Sequence, residues 1–390
     1  MSTIVEHLEE LGDVFAEQAA EADELGRLPD ETAKLLRSAG VVRMLQPRDF
    51  GGLETSPVDF FKAVLAIGRR SPSAGWVASV VGIHPFEFAQ ADRRVQEEVW
   101  GTDPDTWTAS PYAPMGRATP VEGGYRFSGR WSFSSGTDHC DWIILGGLTV
   151  GEDGKPDGTG EKHFILPRSD YEIIAGSWQV VGLKGTGSKD IVISGAFVPS
   201  YRVIDPDDLE SRRAATAAGR VGTALYRMPF HVMFGSAIAC GTLAIAEGLL
   251  REFTEYTRSR VTARGMVAAA DPHTLGVLGA ASADIASSTR DFLASIERLW
   301  EIAQRGDMIP VLVRAEVRRD QVNAVRRAID AADRVMNLAG GSVMRLDNPL
   351  QKFWRDLHIA GGHAANVADK TFQVYGTALF TGELPKGARL

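Results

Sequence analysis

The stretch RWSFSSGTDHCDW (Arg130–Trp142) gathers three large rings, Trp131, Phe133 and Trp142, around two adjacent serines and a glycine. With the preceding GYRFSG it reads as a β-strand that runs into a Ser-Gly-Thr-Asp turn. Taken alone the segment leaves two readings open. In one the rings are sheet core and the serines a turn. In the other, rings and hydroxyls together face a flat ligand with a polar edge.

Working outward, the same β pattern fills the middle of the chain. DWIILGGLTV, KHFILP, YEIIAGSWQVVGL and DIVISGAFVP are short β-rich runs separated by Gly, Asp and Pro. VGEDGKPDGTGEK (Val150–Lys162) reads as an exposed loop between two of them. On both sides the periodicity is helical. HLEELGDVFAEQAAEADEL and PVDFFKAVLAIGRRSPSAGWVASVVGIHPFEFAQ come before; long Ala-rich helices are predicted after it, at 214–262, 271–306, 310–340 and 349–377. An α+β protein of three domains follows: N-terminal helices over 1–105, a central sheet or barrel over 106–206, and a C-terminal helix bundle over 207–390.

The 390 residues, 44% hydrophobic, can bury a large core. A net charge of -8 argues against nucleic acid, because phosphate binding needs an excess of clustered Lys and Arg. Cys140 and Cys240 lack metal-ligand spacing and read as buried thiols in a reducing compartment. The acidic, amphipathic N-terminus is no signal peptide, so a soluble cytoplasmic protein without membrane contact is expected. GxGxxG after a strand, GxxxxGK[ST], HExxH and GxSxG are all missing. GLKGTGS (Gly182–Ser188) reads as a turn, and His358 and His363 fall about 140° apart on a helix, so no metal site is expected. An isoalloxazine ring, apolar on its faces and polar at one edge, is then the economical ligand for the opening segment.

The motifs LPDET, LLRSAGVVRMLQPRDFGG, GWVASVVGIH, SPYAPMG, WSFSSGTDHCDW, VVGLKGTGS and FWRDLHIAGGHAA carry a resemblance over nearly the whole chain. It is similar to the acyl-CoA dehydrogenase superfamily: N-terminal helical domain, β-barrel-like sheet domain and C-terminal four-helix bundle. Within it the chain resembles the oxygenase components of two-component flavin-dependent monooxygenases, including those that hydroxylate steroid-derived phenols and p-hydroxyphenylacetate. The resemblance implies reduced FMN or FAD supplied by a separate NAD(P)H:flavin reductase, O2 as co-substrate, ortho-hydroxylation of a phenol through a flavin C4a-hydroperoxide, and a homotetramer.

The resemblance also implies roles. Ser135 would contact flavin N5, with Trp76, Ser110, Trp131, Phe133 and Ser134 shaping the rest of the ring contact. Arg260 would reach a flavin across a subunit boundary, beside Gly340 and Gly341; the aromatic that commonly follows this arginine is replaced in RVTARG. His84, Ser110, Tyr112 and His363 would meet the substrate, with His363 as base, while His139 and His358 are structural. A phenol ionises near pH 10, and a neutral imidazole in reach favours the phenolate. The alternatives are an acyl-CoA dehydrogenase, or a nitroalkane- or amine-oxidising relative with Asp356 as base. The glutamate base of the dehydrogenases has no counterpart, since no Glu occurs between Val317 and Gly382 or between Ser211 and Ala246.

Overall fold

Helices fill the first hundred residues: α1 (Thr3–Glu10), α2 (Gly12–Glu17), α3 (Ala19–Leu25), α4 (Asp30–Ser38), α5 (Pro57–Gly68), α6 (Pro72–Phe88) and α7 (Arg93–Trp100). The computed structural model describes residues 3–151, 153–261, 265 and 267–390. Every residue of α6 is buried, which its all-round apolar sequence demands, since it has no face suited to water. It lies against α5 on one side and the sheet and bundle on the others.

The sheet contains β1 (Thr108–Ala109), β2 (Gly116–Val121), β3 (Gly124–Ser134), β4 (Trp142–Val150), β5 (Pro156–Pro167), β6 (Glu172–Ile173), β7 (Lys189–Pro199) and β8 (Val203–Ile204). Their order is β6-β7-β3-β2-β4-β5-β8, with β1 paired in parallel to β4. Most of the predicted strands appear, with two differences. The loop expected at Val150–Lys162 is largely strand, because Thr149 and Asp157 are tied by a 2.7 Å hydrogen bond that continues the β4–β5 hairpin outward. YEIIAGSWQVVGL supplies only the two residues of β6, the chain turning away at Gly176, whose φ is 71°.

After the short α8 (Pro206–Glu210) and α9 (Arg213–Ala217) come the bundle helices α10 (Phe230–Ser259), α11 (Pro272–Arg305), α12 (Val311–Ala339), α13 (Pro349–Gly361) and α14 (Ala368–Thr381). The starts of α5, α11 and α13 share one device. Ser56, Asp271 and Asn348 accept a hydrogen bond from a backbone N–H of the first turn, and a proline follows each. α10 is long and apolar enough to cross a bilayer, but 89% of its apolar window is buried inside the protein, so that apolarity is spent on the core. The helix expected at 214–262 therefore begins only at Phe230, after Gly219, Gly222 and Pro229 have broken it. The helix expected at 349–377 is split at Gly361–Asn366, and that break shapes the site described below.

Three aromatic rings, Phe127, Trp131 and Phe164, fill the concave side of the sheet, with Phe127 and Phe164 stacked at 4.2 Å. They fit because glycines lie beneath them: a Cβ on Gly129 would stand 2.6 Å from the Trp131 ring. Gly129→Ala is expected to lower stability by about 1–3 kcal/mol through overpacking. Gly222→Ala, where a Cβ meets nothing within 4 Å, should leave it unchanged. Urea denaturation midpoints of the two variants check the contrast.

Candidate active site

The end of β3 docks on α6, and that contact builds one half of the site. Strand pairing with β7 is irregular between Trp131 and Ser134, where Phe133 adopts φ 70°. The bulge swings the following Ser135 onto α6, where the indole N–H of Trp76 donates to its Oγ at 3.2 Å. From there the hydroxyls form a chain. Ser135 lies 2.7 Å from Ser188, Ser188 lies 2.7 Å from Thr186, and Thr186 donates to the Leu183 carbonyl at 2.7 Å. A carbonyl only accepts and each hydroxyl has one proton, so every donor in the chain is assigned: Thr186 to Leu183, Ser188 to Thr186, Ser135 to Ser188. Ser135 thus has no proton left and presents a lone pair.

The loop that carries Ser188 is bolted down from behind. Leu183 sits at φ 52°, and its N–H donates to Asp356 at 2.5 Å. Asp356, fully buried on α13, also holds Lys352, which in turn holds Asp23. Asp356 is therefore occupied in fixing this loop and is not free to serve as the base of the oxidase alternative.

The other half is a run of rings contributed by four separate segments. His363 lies 6.0 Å from the Trp76 ring and 6.3 Å from Phe234 of α10. Phe234 is 5.0 Å from Tyr112, and Tyr112 is 5.8 Å from His84 of α6. His363 is not on a helix: it precedes a 3-10 turn (Ala364–Asn366), and its Nδ1 accepts from the Ala365 N–H at 3.1 Å. The turn is anchored by buried Arg318, which donates to the Ala365 carbonyl at 2.5 Å. Gly235 permits this, since a Cβ there would stand 2.5 Å from the guanidinium. Burial, then the charge of Arg318, pushes His363 down to about 4.

His84 is 1% exposed, and burial, then the charge of His163, pushes it down to about 3. Its Nδ1 lies 3.1 Å from the Tyr112 hydroxyl, which donates to Glu87 at 2.5 Å. Burial, then Glu87, raises the Tyr112 phenol well above its usual value, so the hydroxyl keeps its proton. With that proton given to Glu87, His84 must be the donor to Tyr112. The two histidines are consequently opposite tautomers. His84 carries Nδ1–H and has a bare Nε2; His363 carries Nε2–H, because its Nδ1 lone pair is engaged.

The residues expected from the sequence separate into groups. Trp76, His84, Ser110, Tyr112, Ser135 and His363 come together here, with half-buried Ser110 beside the Tyr112 hydroxyl. Trp131 does not: it is 1% exposed in the sheet core, its N–H donating to the Gly146 carbonyl at 2.9 Å. Phe133 points to solvent at 70% exposure, edge-on to Trp178 at 6.0 Å. Ser134 is fully buried, with an Oγ that finds no partner among the described residues. Arg260 donates to the Leu338 carbonyl at 2.5 Å and crowds Gly340, so Arg260, Gly340 and Gly341 form a second cluster where α10 and α12 end. Thr262–Arg264, where the expected aromatic is replaced, lie outside the described residues. His139 holds the Leu28 carbonyl and His358 holds Asp333, both outside this group. Sequence reasoning missed Glu87, His163, Ser188, Phe234 and Arg318.

A fold of helices, sheet and bundle, with rings gathered beside an ordered hydroxyl chain, is that of a flavoenzyme of the acyl-CoA dehydrogenase type. Residues 236–368 match the model described as acyl-CoA dehydrogenase, C-terminal domain. The chain is 47% identical over 361 residues to the pigment production hydroxylase of Rhodococcus erythropolis, covering 92% of this chain and 91% of that one. It is 37% identical to the flavin-dependent monooxygenase, oxygenase subunit HsaA, of Mycobacterium tuberculosis, over 95% and 93% of the two chains. The crystal structure of 3-HSA hydroxylase from Rhodococcus sp. RHA1 superposes with a TM-score of 0.93 at 36% identity, over 99% and 98%. The chain belongs to the family of oxygenase components of two-component flavin-dependent monooxygenases.

Both depressed histidines tie stability to pH. The unfolded chain takes up a proton at each near pH 6.5, the native protein only near 4 and 3. Between those values the unfolded state binds more protons, so stability is full above pH 6.5 and is lost as pH falls toward 4. His363→Asn should reduce the loss between pH 7 and pH 5 by on the order of 1 kcal/mol, read from urea unfolding at the two pH values.

Proposed function

We propose that this enzyme hydroxylates a phenol on the carbon next to its hydroxyl, the substrate lying between the two histidines with the reduced flavin against Ser135. The opposite tautomers of His84 and His363 carry this reading, because one phenolic oxygen needs both an acceptor for its proton and a donor for the charge left behind. His84 Nε2 takes the proton, and the N–H of His363 donates to the phenolate oxygen. The His363 role is thus that of a donor rather than the base expected from sequence. An ionised ring is the better carbon nucleophile at the ortho position, and keeping both imidazoles neutral until that moment is what their burial achieves.

The residues fit a reduced flavin. Its ring N5 bears a hydrogen, and Ser135, with its own proton committed to Ser188, can only accept. With oxygen, the bound reduced flavin supplies an electrophilic oxygen atom. Trp76, Phe234 and Tyr112 keep water from that chemistry. A separate reductase delivers the flavin, since no dinucleotide loop is present in the sequence. Steroid-derived phenols, the class the motif resemblance implies, are the substrates to try first, with 3-HSA, which the relative's name gives, among them.

Arg260 with Gly340 and Gly341 is read as the contact to a flavin held by a neighbouring subunit in a homotetramer. Phe380 and Leu346, 89% and 86% exposed near the end of the bundle, support burial against another copy. Two free buried thiols suit a cytoplasmic protein.

The test supplies the purified protein with a generic flavin reductase, NADH, FMN or FAD, and a panel of phenols, and follows catechol by chromatography. His84→Ala should lower product formation by about 10²–10⁴ and His363→Ala by about 10²–10³, with hydrogen peroxide release rising in both. Ser135→Ala should weaken binding of anaerobically reduced flavin. Product from no phenol with either flavin would end the reading.

A further inference from the structure

Glu87 is the one acidic residue in a wholly buried helix whose other polar side chains are Ser73, Ser79 and His84, and nothing in the chemistry above uses it directly. An ionised carboxylate with no contact to water is costly unless hydrogen bonds replace the lost hydration. Here both oxygens are engaged. Oε2 accepts from the Tyr112 hydroxyl at 2.5 Å and Oε1 from Nδ1 of His163 at 2.6 Å. His163, on β5, is itself 2% exposed, its ring 4.6 Å from that of Tyr112 and 5.8 Å from Phe230. Its other nitrogen stands 4.0 Å from Glu161, which pairs at 3.1 Å with Arg389 near the C-terminus. Helix α6, strand β5 and the loop before β2 therefore meet at one carboxylate, one turn of helix from His84.

We infer that Glu87 is a positioning residue for the hydroxylation: through Tyr112 it sets the tautomer of His84 and stabilises the positive charge that His84 acquires. This rests on the reading that His84 takes the phenol proton. The logic lies in the hydrogen bonds. As long as Glu87 accepts the Tyr112 proton, Tyr112 can only accept from His84, so the His84 proton is held on Nδ1 and Nε2 stays bare. When the phenol O–H bond breaks, its electron pair remains on the phenolate oxygen and the proton forms a bond to Nε2. The imidazolium then shares its Nδ1–H with Tyr112, whose oxygen is made more electron-rich by the carboxylate beyond it. An orienting carboxylate behind a catalytic histidine does the same in hydrolytic triads, with a tyrosine interposed here. His163 supplies the second hydrogen bond that keeps Glu87 in place, and Glu161 faces the far side of His163.

Two variants separate this role from that of a bolt between helix and sheet. In Glu87→Leu the Tyr112 proton is released to His84, so nitrogen-15 NMR of the flavin-free protein should show the His84 proton moved from Nδ1 to Nε2. In Glu87→Gln the hydrogen bond to Tyr112 is kept and the charge removed. Relative to the unmodified enzyme at pH 8.5, product from phenol should fall by about 10–10²-fold, while 4-nitrophenol, already ionised, should be affected no more than about two-fold. An unmoved His84 tautomer in Glu87→Leu, or in Glu87→Gln an equal loss with both phenols or no loss with either, overturns the inference. If Glu87→Leu does not fold, the graded phenols still decide; if even the unmodified enzyme hydroxylates neither phenol, the NMR result decides alone and the fault lies with the reading of His84.

Discussion

The Leu183 carbonyl orders the Ser135 side of the site from three hydrogen bonds away. It can only accept, so it draws the Thr186 proton, and the direction passes by single protons through Ser188 to Ser135. A free serine would offer a donor and acceptors alike. This serine offers a lone pair, held in place by the Trp76 indole. The polarity of one hydroxyl is thus set by a backbone group three bonds away in the network, and that group is set in turn by Asp356 gripping the same residue's N–H. The Asp23–Lys352–Asp356 cluster, buried at Asp356 and half-buried at the other two, ties α3 and α13 to the loop, so helices near both ends of the chain meet there.

Much of this was visible in the sequence, and where it was not, the reasons are physical. The alternation of β3 pointed to a strand, and WSFSSG drew attention to Ser135, which stands at the head of the hydroxyl chain. In a regular strand Trp131, Phe133 and Ser135 would share a face. The bulge at Phe133 breaks the period of two, and a bulge is settled by what the partner strand offers, here β7, some sixty residues away. The glycines at 116, 129 and 147 were the overlooked signal: each leaves room for a ring on the concave side, and the rings they admit are Phe127 and Trp131. His363 was assigned to a helix because FWRDLHIAGGH carries helical periodicity up to Ala360. The Gly361–Gly362 pair ends that helix, and the imidazole then caps the next turn in place of a serine or aspartate.

Glu87 was legible in a different sense. A carboxylate in HPFEF, within a helix apolar on every side, has to find its hydrogen bonds inside the protein. The sequence states that requirement without naming the partners, because Tyr112 and His163 come from a loop and a strand whose approach depends on the sheet's register. Gly146 permits that approach at the loop: a Cβ there would stand 2.0 Å from the Tyr112 carbonyl, and its N–H bonds the Pro111 carbonyl at 3.1 Å. The loop carrying Ser110 and Tyr112 is therefore laid directly on β4.

Burying this many ionisable groups in one cleft works against stability, and the arrangement limits that cost. His84 and His363 are kept neutral, Tyr112 keeps its proton, and Glu87 is hydrogen-bonded at both oxygens, so no isolated charge is left beside the rings. Arg318 is the exception, a buried cation whose guanidinium is pushed down to about 10 and is met by Gln321 and the Ala365 carbonyl rather than by a carboxylate. A carboxylate in that place would neutralise it, and would also remove the charge that adds to burial in keeping His363 uncharged. With its Nδ1 lone pair taken by the Ala365 N–H, His363 offers only its Nε2–H, and it is this tautomer, not a lower basicity, that sets it apart from His84. The two histidines thus differ in their hydrogen-bond surroundings: a backbone N–H fixes the tautomer of His363, and Tyr112, tied to Glu87, fixes that of His84.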